Sequence, residues 1–150
     1  MLGRVEDALR INRDVYSGYV KLKGEEHGDT CAAAYNCASA LSALKRFDEI
    51  KALLPRTILA ARRTLGESHA FTLSLRGIYG EALYGDPAAT LSMVAGAALD
   101  DLREAVNTLE DAGRTARQVL GGAHPLTEGI EEDLRRSSRA ILVLTAAMRK

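Results

Sequence analysis

The sequence predicts an all-α fold, and three observations support this. Ala and Leu together outnumber Val, Ile, Phe and Tyr by more than two to one, a balance that favours helices over strands. Apolar residues recur three and four positions apart near both ends, which is the spacing of a buried helix face. They are Val5, Ala8, Leu9, Tyr16, Tyr19 and Val20, and then Ile130, Leu134, Ile141, Leu144 and Met148. No stretch has the alternating pattern of a strand.

A short motif occurs three times along the chain. Residues 24–30, 66–72 and 121–127 all read Gly-x-x-His-x-x-Thr. His69 follows His27 by 42 positions, and His124 follows His69 by 55, which is the same period with 13 residues added. Repetition at such a period is typical of proteins that stack small helical units.

Each residue type in the motif suits a turn between two helices. The glycines follow apolar runs and can adopt the left-handed conformation that ends a helix. The threonines are predicted to be the N-caps of the next helices, because a hydroxyl there can accept from the first free amides. They are Thr30, Thr72 and Thr127. Each motif is therefore predicted to connect two helices.

The motifs divide the chain, taken as a single domain, into paired and unpaired helices. Residues 4–22 are predicted to form a lone helix before the first motif. Unit 1 spans 24–65, with helices at 30–45 and 48–65 and a turn at Arg46-Phe47-Asp48-Glu49 between them.

Unit 2 is longer and spans 66–120. Its first helix covers 72–84 and ends at Gly85-Asp86-Pro87, a typical helix break. Its second helix runs from Asp100, or slightly earlier, to Leu120. The 13 added residues are therefore expected within 86–99.

The segment 121–148 contains a lone carboxyl-terminal helix at 127–148. It has no helix after it to pair with, just as the helix at 4–22 has none before it. We therefore expect either a fragment of a longer repeat protein or a remnant of gene duplication.

Four stretches resemble a known family. They are Leu65-Gly66-Glu67-Ser68-His69, Leu120-Gly121-Gly122-Ala123-His124-Pro125-Leu126-Thr127, Tyr35-Asn36-Cys37-Ala38 and Arg46-Phe47-Asp48-Glu49-Ile50. With the 42-residue period, they resemble the tetratricopeptide repeats of kinesin light chain and related scaffolds over roughly 24–140. The resemblance implies an α-solenoid, a superhelix of antiparallel helix pairs.

The sequence departs from the family pattern at several positions. Pro does not follow His27 or His69, and Pro55 falls inside a predicted helix. The asparagine position of the repeat holds Asn36, Ile78 and Asp133 in turn, and its small-residue position holds Ala38, Gly80 and Arg135.

Composition argues against several function classes. The chain has 20 basic and 20 acidic residues, so it lacks the positive charge expected for binding nucleic acid or a membrane surface. Acidic residues near the amino terminus leave no apolar signal peptide. The longest stretch of low charge, 88–99, is too short to span a bilayer. Cys31 and Cys37 form no disulfide framework. These features predict a cytoplasmic protein.

The histidines, cysteines and glycines are expected to have structural roles. Repeat-equivalent histidines lie one unit apart, too far to share a metal whose bonds are about 2 Å long. Each is expected to form a hydrogen bond within its own turn. The two cysteines do not form a Cys-x-x-Cys motif and are expected in the core. The glycines do not match a phosphate-binding loop.

The charged clusters are also expected to be ordinary surface features. The acids are Asp100, Asp101 and Glu104, then Glu131, Glu132 and Asp133. Glu131 and Glu132 have arginines four residues later, the spacing of surface ion pairs. The pairs at 62–63 and 135–136 contain too few arginines for nucleic acid. We expect no catalytic residue, metal or cofactor, and only the acidic clusters would support an enzyme.

The remaining candidate site is a surface groove. In stacked helix pairs the first helix of each pair lines the concave side. The predicted groove residues are Tyr35, Asn36, Ser39, Ser74, Ile78, Glu81, Glu132, Asp133 and Arg136. The predicted function is a non-catalytic protein–protein interaction scaffold that binds a peptide or partner helix there. The alternative is an assembly module that oligomerises, or docks onto a larger protein, through the unpaired terminal helices.

Overall fold

A computed structural model describes residues 2–85 and 95–150, and these ranges contain six α-helices and no strand. The helices are α1 (Leu2–Lys23), α2 (Gly28–Ala43), α3 (Phe47–Thr64), α4 (Ala70–Tyr84), α5 (Ala95–Leu120) and α6 (Pro125–Met148). The fold is therefore an all-α helical-repeat solenoid, as the sequence predicts.

The helices pack as antiparallel neighbours along the chain. Each helix contacts the next one in the chain, including α4 with α5. The helices α2, α4 and α6 also pack side by side, so the first helices of successive pairs form one continuous layer. This layer is where the sequence places the groove.

Three of the four connections that the structure describes in full are the Gly-x-x-His-x-x-Thr segments, which join α1 to α2, α3 to α4 and α5 to α6. Their first glycines have φ angles of 86°, 96° and 89°, in the left-handed region that glycine adopts without strain. The glycines therefore end the preceding helices as predicted. The three corners share one conformation, as a stacked repeat requires.

The histidine, not the threonine, is the N-cap at each corner. The Nδ1 atoms of His27, His69 and His124 accept from the backbone N–H two residues later, at 3.1, 3.2 and 3.1 Å. Each cap residue has an extended backbone, as N-caps do. The expectation of a local hydrogen bond for each histidine is confirmed, and the assignment of Thr30, Thr72 and Thr127 as caps is wrong.

The threonines instead point into the core. Each helix begins directly after its histidine, two residues earlier than predicted, so the threonine falls in the first turn with at most 1% of its surface exposed. The Oγ1 of Thr30 donates to the carbonyl of Gly24 at 2.7 Å, which links the end of α1 to the start of α2. The Oγ1 atoms of Thr72 and Thr127 have no hydrogen-bond partner among the described residues.

The core consists of apolar side chains between the helix layers. Its large, fully buried members are Ile50, Leu54, Leu73, Leu75, Leu102, Leu109 and Ile130. Burying one such side chain contributes about 1.5–3 kcal/mol, so this set is a large share of the stabilisation. Cys31 and Cys37 are free and buried, as expected for small core residues. Two predicted members of the apolar faces, Ala8 and Met148, are exposed.

Helix packing is closest where the repeat has its small residue. A Cβ added to Gly80 of α4 would lie 2.5 Å from the Cγ and Cδ2 atoms of Leu109 in α5, closer than real atoms approach. Ala38 occupies the equivalent position in α2 and is fully buried. Arg135 occupies it in α6, with 60% of its side chain exposed. At this position α4 is packed against another helix, whereas α6 carries an exposed charge.

Two sequence departures have simple outcomes. α3 continues through Pro55, which is exposed and has no backbone N–H to donate to the hydrogen bonds of the helix. The 13-residue addition is expected within 86–99, and residues 86–94 of that range lie outside the described residues. The chain is helical from Ala95 to Leu120, in keeping with a start slightly earlier than Asp100.

Candidate functional site

The nine predicted groove residues all lie on the layer formed by α2, α4 and α6. Each of these helices contributes three of them. Asn36 and Arg136 are exposed and the other seven are partly buried, so none is lost in the core. The layer therefore presents a surface in which polar side chains stand among partly buried apolar ones.

Between α2 and α4 the surface is organised by one carboxylate. Glu81 accepts from the Oγ of Ser42 at 2.6 Å and from the Nζ of Lys45 at 3.3 Å. Its side chain is 21% exposed, so the ion pair is shielded on the Glu81 side while Lys45 stays in solvent. These contacts fix the Glu81 carboxylate against the neighbouring helix.

Between α4 and α6 the surface is organised by a tyrosine. The hydroxyl of Tyr84 donates to Oδ1 of Asp133 at 3.1 Å, and Arg136 also contacts Tyr84. Burial raises the pKa of Asp133, and the negative charge of Glu81 raises it further. Burial also raises the pKa of Tyr84 to about 12, so this hydroxyl stays protonated at neutral pH.

An aromatic contact links α2 and α4 closer to their amino ends. The rings of Tyr35 and Phe71 have centroids 5.5 Å apart at an angle of 42°, within the range of favourable aromatic pairs. Phe71 also lies 5.5 Å from the imidazole of His69 and keeps 36% of its surface exposed. The layer therefore has an apolar, aromatic end and a charged end.

Four residues of this surface were not predicted: Ser42, Lys45, Phe71 and Tyr84. Two of them follow predicted residues by three positions on the same helix, as Ser42 follows Ser39 and Tyr84 follows Glu81. Residues three apart are neighbours on a helix surface. Extending the predicted sets by one turn would have found these two, but not Lys45, which lies beyond the end of α2, or Phe71.

The charged residues at 131–136 form ion pairs that differ partly from the prediction. Glu132 pairs with Arg135 at 2.8 Å and with Arg136 at 3.1 Å, and the second pair has the predicted spacing of four. Glu131 pairs instead with Arg117 of α5. Its expected pairing with Arg135 is therefore wrong, because Glu131 points toward the adjacent helix and Arg135 toward solvent.

The acidic cluster at the start of α5 is also engaged in ordinary contacts. Asp101 pairs with Lys51 at 3.4 Å, and Asp100 with Arg103 at 3.4 Å. Glu104 accepts from the hydroxyl of Tyr79 at 2.9 Å. These carboxylates face different partners, so they do not form a convergent acid–base pair.

Metal and thiol chemistry find no support in the part of the chain that the structure describes. Within 2–85 and 95–150, no three His, Cys, Asp or Glu side chains come together as metal ligands. Burial raises the pKa of the Cys31 and Cys37 thiols, which keeps them protonated and unreactive. Over the same ranges, no helix is long and apolar enough to cross a bilayer.

Comparison with known proteins agrees with this architecture. Residues 30–71 match the family model described as a tetratricopeptide repeat. The matched span is one period long and covers most of α2, all of α3 and the corner that follows. A search of curated proteins finds no match to the chain.

The fold and the match together indicate the architecture. The described chain is a helical-repeat solenoid, and one segment of it, residues 30–71, matches a tetratricopeptide repeat. Repeats of this family generally mediate protein–protein interaction and are typically non-catalytic.

Proposed function

We propose that the chain is a non-catalytic scaffold that binds a peptide or a partner helix on the layer of α2, α4 and α6. The observation that carries the proposal is the arrangement of this layer. Tyr35 and Ile78 offer apolar area, while Asn36 and Arg136 offer exposed polar groups that can orient a bound chain. We propose the nine predicted groove residues as its contact surface.

The contacts among groove residues support a preorganised surface. Glu81 is held by Ser42 of α2 and by Lys45 just after α2, and Asp133 is held by Tyr84 of α4. Side chains that are already fixed lose little conformational freedom when a partner binds. The groove therefore does not need to rearrange in order to present its polar groups.

Direct measurement of binding tests this function. A peptide selected from a displayed library against the wild-type chain would be titrated against Asn36→Ala and Arg136→Ala. Each substitution is expected to weaken binding about tenfold, the effect of losing one good contact. Arg103→Ala is the matched control, because this α5 arginine is also exposed and ion-paired. Unchanged binding by both groove variants, with loss on substitution of second-helix residues, would refute the groove.

We also propose the finer classification and location. The 42-residue period and the Leu-Gly-x-x-His corners support repeats of the kinesin light chain type. Two free, buried cysteines are compatible with a reducing compartment and so support a cytoplasmic location. The balanced charge supports a protein partner rather than nucleic acid or membrane.

A second candidate function is assembly through a terminal helix, and the exposed apolar side chains of α1 favour it. Ile11, Val15 and Leu22 are 56%, 44% and 83% exposed. The corresponding outer side of α6 carries Arg135 and Arg139, which are exposed and charged. We therefore propose α1 as the helix through which assembly would occur.

A further inference from the structure

Five apolar residues of α1 lie in one line along the helix, and all but Gly18 are exposed. Ala8, Ile11, Val15, Gly18 and Leu22 are spaced by three and four residues, so they share one face. We call these five residues the α1 stripe. It adjoins, but is separate from, the face of Val5 and Leu9 that packs into the core. A line of this spacing is the seam by which two helices pack together.

The repeat shows what such positions normally do. Residues 42 positions after Ala8, Val15 and Gly18 are Ile50, Thr57 and Ala60 of α3. These α3 residues are only 0%, 7% and 6% exposed, because another helix packs against them. Residues 97 positions after Ala8 and Val15 are buried in α5 as well. Ala8, Val15 and Gly18 therefore occupy positions that helix packing buries in α3, whereas the equivalents of Ile11 and Leu22 are the partly buried Leu53 and the exposed Thr64.

The first and last helices of the described chain, α1 and α6, differ in character. On α6, Arg135 stands where the other first helices carry Ala or Gly, and Arg139 adds a second exposed charge on a face that also carries the exposed Leu142. A head-to-tail chain would place these two arginines against an apolar stripe. A face-to-face pair would instead cover each stripe with a second one, which is the self-complementary arrangement of two-fold dimers.

We propose that the α1 stripe is the interface of a homodimer, in which α1 packs antiparallel against α1 of a second copy. This deepens the second candidate function above. In this arrangement Ile11 and Val15 of one copy lie beside Val15 and Ile11 of the other. Ala8 lies beside Gly18, and these small residues let the two helix backbones approach closely.

The charges beside the stripe support the antiparallel direction. Asp7, Asp14 and Lys21 lie along one edge of the stripe at intervals of seven residues. An antiparallel pair centred near the middle of α1 brings Asp7 of each copy close to Lys21 of the other, which gives two ion pairs. It also brings the two Asp14 carboxylates together, which is an unfavourable contact. In a parallel pair this edge would face the opposite edge of the other helix, which carries Val5, Asn12 and Tyr19, so the two ion pairs would not form.

The size of the interface sets the expected affinity. One helix from each copy buries less than the roughly 1,200 Å² of standard protein interfaces. We therefore expect a dimer with micromolar affinity, which sedimentation velocity detects over a concentration series of the full chain. The wild type is expected to shift toward twice the monomer mass as concentration rises. A wild type that stays monomeric throughout overturns the proposal.

Apolar substitutions locate the interface. Val15→Asp is expected to abolish dimerisation, and because Val15 is a partly exposed surface residue, helix content by circular dichroism should not change. Leu142→Asp is the matched control, since Leu142 is a 72% exposed apolar residue of α6. If the dimer survives Val15→Asp but is lost with Leu142→Asp, the α1 interface is wrong.

Charge substitutions test the direction of the pair. Asp7→Lys and Lys21→Asp are each expected to weaken the dimer, and the double variant is expected to restore it. Asp14→Asn is expected to tighten the dimer by removing the repulsion at its centre. Failure of the double variant to restore dimerisation refutes the antiparallel register. Peptide binding by Val15→Asp, measured separately, keeps failure of the dimer distinct from failure of the groove.

Discussion

The close packing around Gly80 allows a quantitative prediction of how a substitution there changes the free energy of unfolding. Replacing a helical glycine by alanine normally stabilises a helix by about 1 kcal/mol. At Gly80 the new Cβ would lie 2.5 Å from the Cγ and Cδ2 atoms of Leu109, which is fully buried. Overpacking of this kind costs about 1–3 kcal/mol. Gly80→Ala is therefore expected to destabilise the chain by up to about 2 kcal/mol in net terms.

Two other helical glycines provide controls on the same chain. A Cβ at Gly129 of α6 would meet nothing within 4 Å among the described residues, so Gly129→Ala is expected to stabilise. A Cβ at Gly77 would lie 3.2 Å from the Cγ1 of Ile130. The effect of Gly77→Ala on stability is therefore expected to lie between those of Gly80→Ala and Gly129→Ala. Since a change of 1 kcal/mol moves the Tm of a chain this size by about 2–4 °C, thermal unfolding resolves the series.

A double substitution tests the cause of the Gly80 effect. If Leu109 is the obstacle, Gly80→Ala should cost less in a Leu109→Ala background, with a coupling energy of about 0.5–3 kcal/mol. The free energies of unfolding would be measured by urea denaturation followed at 222 nm. Gly80→Ala as stable as Gly129→Ala, or no coupling to Leu109, would refute the close contact between α4 and α5.

Three further predictions concern the corners and the groove. His69→Ala is expected to destabilise by about 1 kcal/mol through loss of the N-cap, and His69→Asn to recover most of this, both measured by urea denaturation. Thr72→Val is expected to be neutral or stabilising, because its hydroxyl has no partner among the described residues. Thr30→Val is expected to cost about 1 kcal/mol of stability, since it removes a hydrogen bond. Equal effects of Thr72→Val and Thr30→Val would contradict the different hydrogen bonding of these two hydroxyls. The pKa of Tyr84 is raised to about 12 in the folded state. Its contribution to the free energy of unfolding is therefore fully present below pH 10.0, the ordinary pKa of tyrosine, and is lost as the pH rises toward 12. Tyr84→Phe should therefore lose less stability than wild type over that alkaline range, and identical pH profiles would count against it.

The fold could be predicted because the same corner motif occurs three times in the sequence. Glycine, histidine and threonine recur at fixed spacing, and each corner turns in the same way. The roles within the corner could not be read from residue type alone. Threonine is the commoner N-cap, but the helices begin two residues earlier than a threonine cap requires, so the histidine takes that place. A boundary shift of half a turn was enough to exchange the two roles.

The candidate site could be predicted at the level of helix faces but not of partners. All nine groove residues lie on the first helices, because their positions follow from the repeat. Pairings across helices, such as Ser42 with Glu81, depend on how far neighbouring units are rotated against each other. Sequence spacing within one helix carries no such information. This is also why Glu131 was paired with Arg135 rather than with Arg117.

The proposed dimer and the proposed groove together predict avidity. No groove residue lies on α1, so pairing through the α1 stripe leaves both grooves open. A ligand that carries two copies of a groove-binding peptide on a flexible linker could then engage both grooves at once. Its second binding step is intramolecular, and the gain is expected to be at least about tenfold over the single peptide. Val15→Asp should abolish this gain without changing the affinity for the single peptide. A gain that persists in the monomeric variant would mean that the two peptides occupy sites on one chain, and a gain absent from the wild-type dimer would mean that the grooves lie too far apart for the linker to span.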